Sequence, residues 1–177
     1  MLERLKTKIR GTLDIKRLEK DGFKHGKNFN TQHGVIVDPG HCWLITVGDN
    51  VTLAPYVHIL AHDASMKNFL NYTKIAKTKI GNNVFIGAGS TILPGVEIGD
   101  NVVVGAGSVV TKNLESGFVY AGNPVKMICK LDDFLDKHRK KKENGKYYGS
   151  EFIIGNITDE MKQQMINDLE DNDGYII

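Results

Sequence analysis

Six histidines and two cysteines are the side chains in these 177 residues best suited to chemistry. His25, His33, His41, His58 and His62 fall early in the chain, and His138 stands far downstream. An imidazole exchanges protons near neutral pH and is also a common metal ligand. Four histidines near Cys42 invite a metal reading. The spacings match no compact zinc motif, however, and Cys129 is remote, so no metal is expected. That leaves proton transfer, with His58 and His62 in VHILAHDAS as competitors. Which of them can act depends on the elements that carry them.

Those elements are repeats. Residues 80–115 divide into IGNNVF, IGAGST, ILPGVE, IGDNVV, VGAGSV and VTKNLE. The first position is always β-branched: Ile80, Ile86, Ile92, Ile98, Val104 and Val110. The fourth is always Gly or Asn, the residues that most readily accept left-handed backbone angles. Each six is therefore a short strand and a tight turn, and three sixes make a triangular coil. The pattern predicts a parallel β-helix in which Ile80 stacks on Ile98, Ile86 on Val104, Ile92 on Val110, Asn83 on Asn101 and Ser90 on Ser108.

Upstream, Phe23, Phe29, Val35, His41, Val47, Leu53 and Ile59 continue the six-residue spacing, which would turn His41 inward. In the row beginning at Ile59, His62 takes the fourth position, a corner, so its side chain must point out of the prism. His58 falls at a sixth position and reads as a surface residue. The phase breaks between Ile59 and Ile80, and residues 65–79 read as an extruded loop, a common place for function.

The flanks differ from the repeat. Residues 1–22 carry a net charge of +3 and read as a helical leader, with Leu2, Leu5, Ile9, Leu13, Ile15 and Leu18 apolar. Its basic face allows at most a weak peripheral membrane contact. Residues 23–130 hold the repeat domain. Residues 131–177 carry −4 and read as a helical tail, with Thr158 as a helix cap and an apolar stripe at Met161, Met165, Ile166 and Leu169. No apolar run is long enough to span a membrane, and MLERLKTKIR lacks a secretory signal's apolar stretch. Two cysteines cannot staple a secreted scaffold, and a net charge of +2 makes no case for nucleic acid. A cytoplasmic protein is expected.

The segment IGNNVFIGAGSTILPGVEIGDNVVVGAGSVVTKNLESGFVYAGNPVKMI resembles the C-terminal coils of the hexapeptide-repeat acyltransferases. It is most similar to the maltose/galactoside/xenobiotic acetyltransferase branch and to capsule and lipopolysaccharide O-acetyltransferases. The resemblance covers roughly residues 23–131 and implies an all-β fold, a left-handed parallel β-helix. It also implies a homotrimer with active sites between subunits, and acetyl-CoA as acyl donor.

What the resemblance implies about residues is specific. His62, just before the polar loop, matches the general base that takes the proton of an acceptor hydroxyl as it attacks the thioester. Asp63 and Asp38 are candidates to orient that imidazole or the sugar. The donor's pantetheine arm would lie along Gly87, Ala88, Gly105 and Ala106, with Phe85 as an aromatic wall where the galactoside branch often has Trp. Thr111, Lys112 and Lys126 match positions at the nucleotide end. Asn30 and Asp38 are the acceptor candidates. The resemblance thus implies acetyl transfer to a hydroxyl of a sugar or polysaccharide precursor. N-acetylation of an amino nucleotide-sugar is the near alternative. A metal-binding, carbonic-anhydrase-like or non-catalytic β-helix trimer is the alternative from another class.

Overall fold

The computed structural model describes residues 12–177, so Leu2, Leu5 and Ile9 of the expected leader lie outside the described residues. The chain divides into two compact units, one ending at Leu131 and one running from Asp132 to Ile177.

In the first unit every hexapeptide row becomes a strand of two or three residues, and the strands stack into three parallel sides. The first side holds β1 (Lys24–His25), β4 (Ile45–Val47), β9 (Thr78–Ile80) and β12 (Glu97–Ile98). The second holds β2 (Asn30–Thr31), β5 (Thr52–Leu53), β10 (Val84–Ile86) and β13 (Val102–Val104), followed by β15 (Phe118–Ala121) and β16 (Lys126–Lys130). The third holds β3 (Ile36–Val37), β6 (His58–Ile59), β11 (Thr91–Ile92) and β14 (Val109–Val110). The expected stacks are present: Ile80 pairs with Ile98, Ile86 with Val104 and Ile92 with Val110. These six side chains are at most 1% exposed. Burying each is worth about 1.5–3 kcal/mol relative to leaving it in water.

Polar columns close the corners. At the first edge, Asn28, Asn50, Asn83 and Asn101 all have φ between 54° and 56° and hydrogen-bond side chain to side chain, at 2.8, 2.9 and 3.0 Å. At the second edge Ser90 Oγ accepts the Ser108 N–H at 3.2 Å.

The upstream register differs from the expected one. His25 pairs with Val47 and Val37 with Ile59, so the first coil has 22 residues rather than 18. The four extra residues lie in the turn from Asp38 to Leu44, which contains a 3-10 turn at Cys42–Leu44. His41 therefore sits in this outer turn and not in an inward row. Phe23 and Val35 are buried as fifth-position residues of their rows.

The extruded segment is a hairpin. Strand β7 (His62–Asp63) pairs antiparallel with β8 (Lys74–Ile75), and α2 (Lys67–Leu70) forms its tip. The expected bounds 65–79 are thus corrected: Thr78–Ile80 belongs to the coil, and the hairpin already begins at His62.

Two elements sit at the ends of the stack. Helix α1 (Ile15–Lys20) lays Leu18, 7% exposed, into the core before the first coil. At the other end β16 turns back antiparallel onto β15.

The second unit is not helical throughout. It contains all but the first residue of α3 (Leu131–Asn144), then β17 (Lys146–Tyr148), a 3-10 turn at Ser150–Phe152, α4 (Asp159–Asp168) and β18 (Gly174–Ile176), with β17 and β18 paired in parallel. Thr158 Oγ accepts the Met161 N–H and caps α4. Ile166 of the expected apolar stripe is exposed. No helix among the described residues is long and apolar enough to cross a membrane.

Candidate functional site

The third edge of the prism, where β6 ends and the hairpin leaves, gathers the titratable groups. Asp38 follows β3 at this edge in the coil below. The Asp38 side chain is fully buried and accepts four hydrogen bonds. Oδ1 takes the N–H groups of Gly40 and His41 at 3.0 and 3.2 Å. Oδ2 takes the Ala61 N–H at 2.9 Å and faces His62 Nδ1 at 2.5 Å. Burial alone would raise the Asp38 pKa. The bonds from Ala61, His62 and Gly40 outweigh it and hold the carboxyl below its ordinary value. A carboxylate bound in this way makes His62 Nδ1 the protonated nitrogen. Nε2 then carries the free lone pair on a side chain that is 38% exposed. The arrangement leaves Nε2, the nitrogen not turned to Asp38, able to accept a proton.

Asp63 does something else. Its Oδ1 accepts the Ser65 N–H at 2.9 Å, which closes the turn leading to the hairpin tip. That backbone bond is the main cause of its lowered pKa. His58 lies on β6 between Ile36 and Thr91 of the neighbouring strands, away from Asp38.

Sequence reasoning did not bring His41 and Trp43 to this edge. The His41 ring lies 5.1 Å from that of His62 and 5.3 Å from Trp43, centroid to centroid. The available signal was DPG directly after the strand Ile36–Val37, which marks a turn too long for an ordinary corner. Asp38, His41 and His62 each offer one ligand atom within 4.8 Å of the others, a grouping the linear spacing did not reveal. Both Asp38 oxygens already carry two donors apiece, so a cation there would have to displace them.

The other candidates divide between edges. Gly87 and Ala88 follow β10, and Gly105 and Ala106 follow β13, at the second edge. Gly87 is required by coil stacking, since a Cβ there would come within 2.4 Å of the Ala106 nitrogen. Ala88 and Ala106 are exposed one coil apart, and among the described residues no acceptor takes either N–H. Phe85, 44% exposed, stands on the outer face of the second side, in register with Thr52, which is in turn in register with Asn30. Thr111 and Lys112 follow β14 and are exposed on the third edge, two coils above His62. Lys126 is exposed at the start of β16. One chain therefore carries His62, Asp38, Thr111 and Lys112 on one edge, and the Gly-Ala-Gly track, Phe85 and Asn30 at or before another. The two edges are one prism side apart, roughly 15 Å for five residue steps.

The comparisons with known proteins agree with this architecture. Residues 77–112 match the family model described as bacterial transferase hexapeptide (six repeats). The galactoside O-acetyltransferase of Escherichia coli (strain K12) is 42% identical over 119 residues, which are 64% of this chain and 56% of that protein. Protein CapG of Staphylococcus aureus is 42% identical over 99 residues, 54% of this chain and 58% of that one. The crystal structure of a maltose O-acetyltransferase from Clostridium difficile 630 superposes with a TM-score of 0.54 at 35% identity, over 72% of this chain and 83% of that one. The chain spans little more than half the length of the curated relatives it matches.

Proposed function

Because the chain belongs to the hexapeptide-repeat acyltransferase superfamily, we propose that it is an acetyl-CoA-dependent O-acetyltransferase acting on a hydroxyl of a sugar or polysaccharide precursor. The observation that carries this reading is the His62 imidazole, held through Nδ1 by buried Asp38 and open at Nε2. In the reaction, Nε2 accepts the proton of the acceptor hydroxyl as that oxygen bonds to the thioester carbonyl carbon. The carbon–sulfur bond then breaks, and the proton passes from Nε2 to the departing thiolate. Asp38 stabilises the transient imidazolium without itself becoming protonated.

The unpaired N–H groups of Ala88 and Ala106 suit the amide carbonyls of a pantetheine arm, and one such N–H suits the developing oxyanion. Phe85 offers the arm an apolar wall, and Lys112 and Lys126 offer charge to its phosphates. Since His62 and this track occupy different edges of one chain, the reading includes a homotrimer in which the third edge of one copy meets the second edge of the next. It also includes left-handed winding of the coils.

The experiment is thiol release from acetyl-CoA across a panel of sugars and nucleotide sugars. One acceptor should stimulate release in the wild type, and His62→Ala should lose about 10³-fold of that rate while still binding CoA. Undiminished turnover in the variant would remove His62 as the base. A second reading, a metal-dependent β-helix, is favoured only by the grouping of Asp38, His41 and His62. Stoichiometric metal in the purified protein, with activity lost on chelation, would favour it.

A further inference from the structure

The turn from Asp38 to Leu44 is an addition to the repeat, and its side chains point two ways. Cys42 is fully buried, its Sγ directed at the carbonyls of Leu18 and Asp21 at 3.7 and 3.5 Å. Trp43, the next residue, is turned outward and is 54% exposed, the only tryptophan in the chain. Nothing in the regular coil needs an indole in water at this place. Gly22, at φ 99°, lets the chain pass close to this turn, since a Cβ there would come within 2.8 Å of the Trp43 Cβ. Between Trp43 and His62 stands His41. Its backbone N–H donates to Asp38 Oδ1, and its ring Nδ1 is buried without a hydrogen-bond partner, 3.9 Å from that oxygen. With Nδ1 shut away, Nε2 is the nitrogen of His41 that a ligand can reach.

The three rings form one row ending on the base. Successive centroid separations of 5.3 and 5.1 Å place the indole at most about 10 Å from the His62 imidazole, a span that one sugar unit and its substituents fill. An exposed aromatic face binds the apolar C–H face of a pyranose, and a fixed imidazole nitrogen binds a hydroxyl. We propose that the Asp38–Leu44 turn is the acceptor subsite. Trp43 stacks the ring of a pyranoside, and His41 Nε2 holds a second hydroxyl of that ring beside the one His62 deprotonates. The inference rests on the acetyltransferase reading for the role of His62. The saccharide class of the ligand rests on the ring row itself.

Trp43 is its own reporter, because its emission is the only indole emission of the chain. The wild-type protein is titrated with methyl pyranosides and their oligosaccharides, with glycerol as a hydroxyl source lacking a ring. Iodide quenching and thiol release from acetyl-CoA are followed in parallel. The expected result is saturable protection of Trp43 by the same pyranoside that stimulates thiol release, and none by glycerol. Trp43→Ala should raise the KM for that acceptor by at least about tenfold, with the KM for acetyl-CoA changing less than about twofold. Trp43→Phe should recover part of the loss, and His41→Gln should weaken protection of Trp43 in a chain whose indole is intact. If an acceptor stimulates thiol release and leaves iodide quenching unchanged, the acceptor binds elsewhere and the proposal is overturned. If a pyranoside protects Trp43 while no acceptor releases thiol, the saccharide site stands and the acetyltransferase reading falls. Neither protection nor release across the panel would overturn both.

Discussion

Replacing Asp38 with asparagine tests whether this carboxylate sets the reactive form of His62. The amide matches the carboxylate in shape and has one acceptor oxygen where Asp38 uses two. Set with its oxygen toward Gly40 and His41, it puts its NH2 against the Ala61 N–H and His62 Nδ1. That leaves one buried donor facing a donor, a stability cost of about 1–3 kcal/mol. In this arrangement the NH2 donates to Nδ1, so the imidazole proton moves to Nε2 and the base is blocked. Turning the amide over restores the reactive tautomer. It sets the NH2 against two backbone donors instead of one, a further 1–3 kcal/mol or so. Loss of the carboxylate beside the imidazolium adds roughly 2 kcal/mol. Together the barrier rises by about 4 kcal/mol, or about 10³-fold in kcat.

The assay is thiol release at saturating donor and acceptor, with thermal melting alongside to separate misfolding from lost chemistry. A folded Asp38→Asn protein whose kcat stays within about threefold of wild type would refute the reasoning. Acid stability gives a second readout. The folded-state pKa of Asp38 lies below its ordinary value of 3.8. Its stabilising contribution is therefore complete above that value and is lost as pH falls through the lower folded value. Wild type should lose this increment on acidification, and the asparagine variant should show a shallower acid slope.

Other outcomes follow from the coil. Ile98 is 1% exposed and is paired with Ile80, so Ile98→Asp buries an uncompensated charge. The variant should be unfolded or disassembled by circular dichroism and sizing, and a melting curve like that of wild type would disprove the register. Subunit mixing tests the division of the site between edges. His62→Ala lacks the base, and Ala88→Trp obstructs the track. Co-refolded in equal amounts, the two nearly inactive chains should regain about a quarter of wild-type activity, because a site then needs one particular chain on each side. No recovery would mean that each site lies within one chain.

The repeat from Ile80 to Leu114 was legible because two properties recur together: a β-branched first position that must be buried, and a fourth position that needs a left-handed backbone. The first coil was misread for a specific reason. Inward side chains occupy both the first and the fifth positions of each six. A four-residue insertion carries one inward row onto the other, so Phe23, Phe29 and Val35 kept an apolar phase with Val47 although the coil is longer. The same insertion put His41 at an apparent inward position and concealed the ring row. Asp38 and His62 are 24 residues apart, and only the true coil length sets them against each other. Tyr56 escaped the corner rule too. At φ 61° it is the one positive-φ residue, among those described, that is neither Gly nor Asn, held where Gly34 leaves room for its ring and where His33 Nε2 meets its hydroxyl at 2.6 Å.

A stack of parallel coils is a template without a natural length. Its first and last turns both present rows of unmatched backbone donors and acceptors, to which another molecule can add as another turn. The helix that sets Leu18 into the lower end, and the reversal of β16 over the upper end, take away that possibility. Both lie outside the hexapeptide rows, and together they decide that the repeat ends as a discrete particle and not as a fibre. A chain shortened to begin at Phe23 would open the lower end alone, so its copies would pair by that end without growing into a fibre, the upper end staying closed by β16.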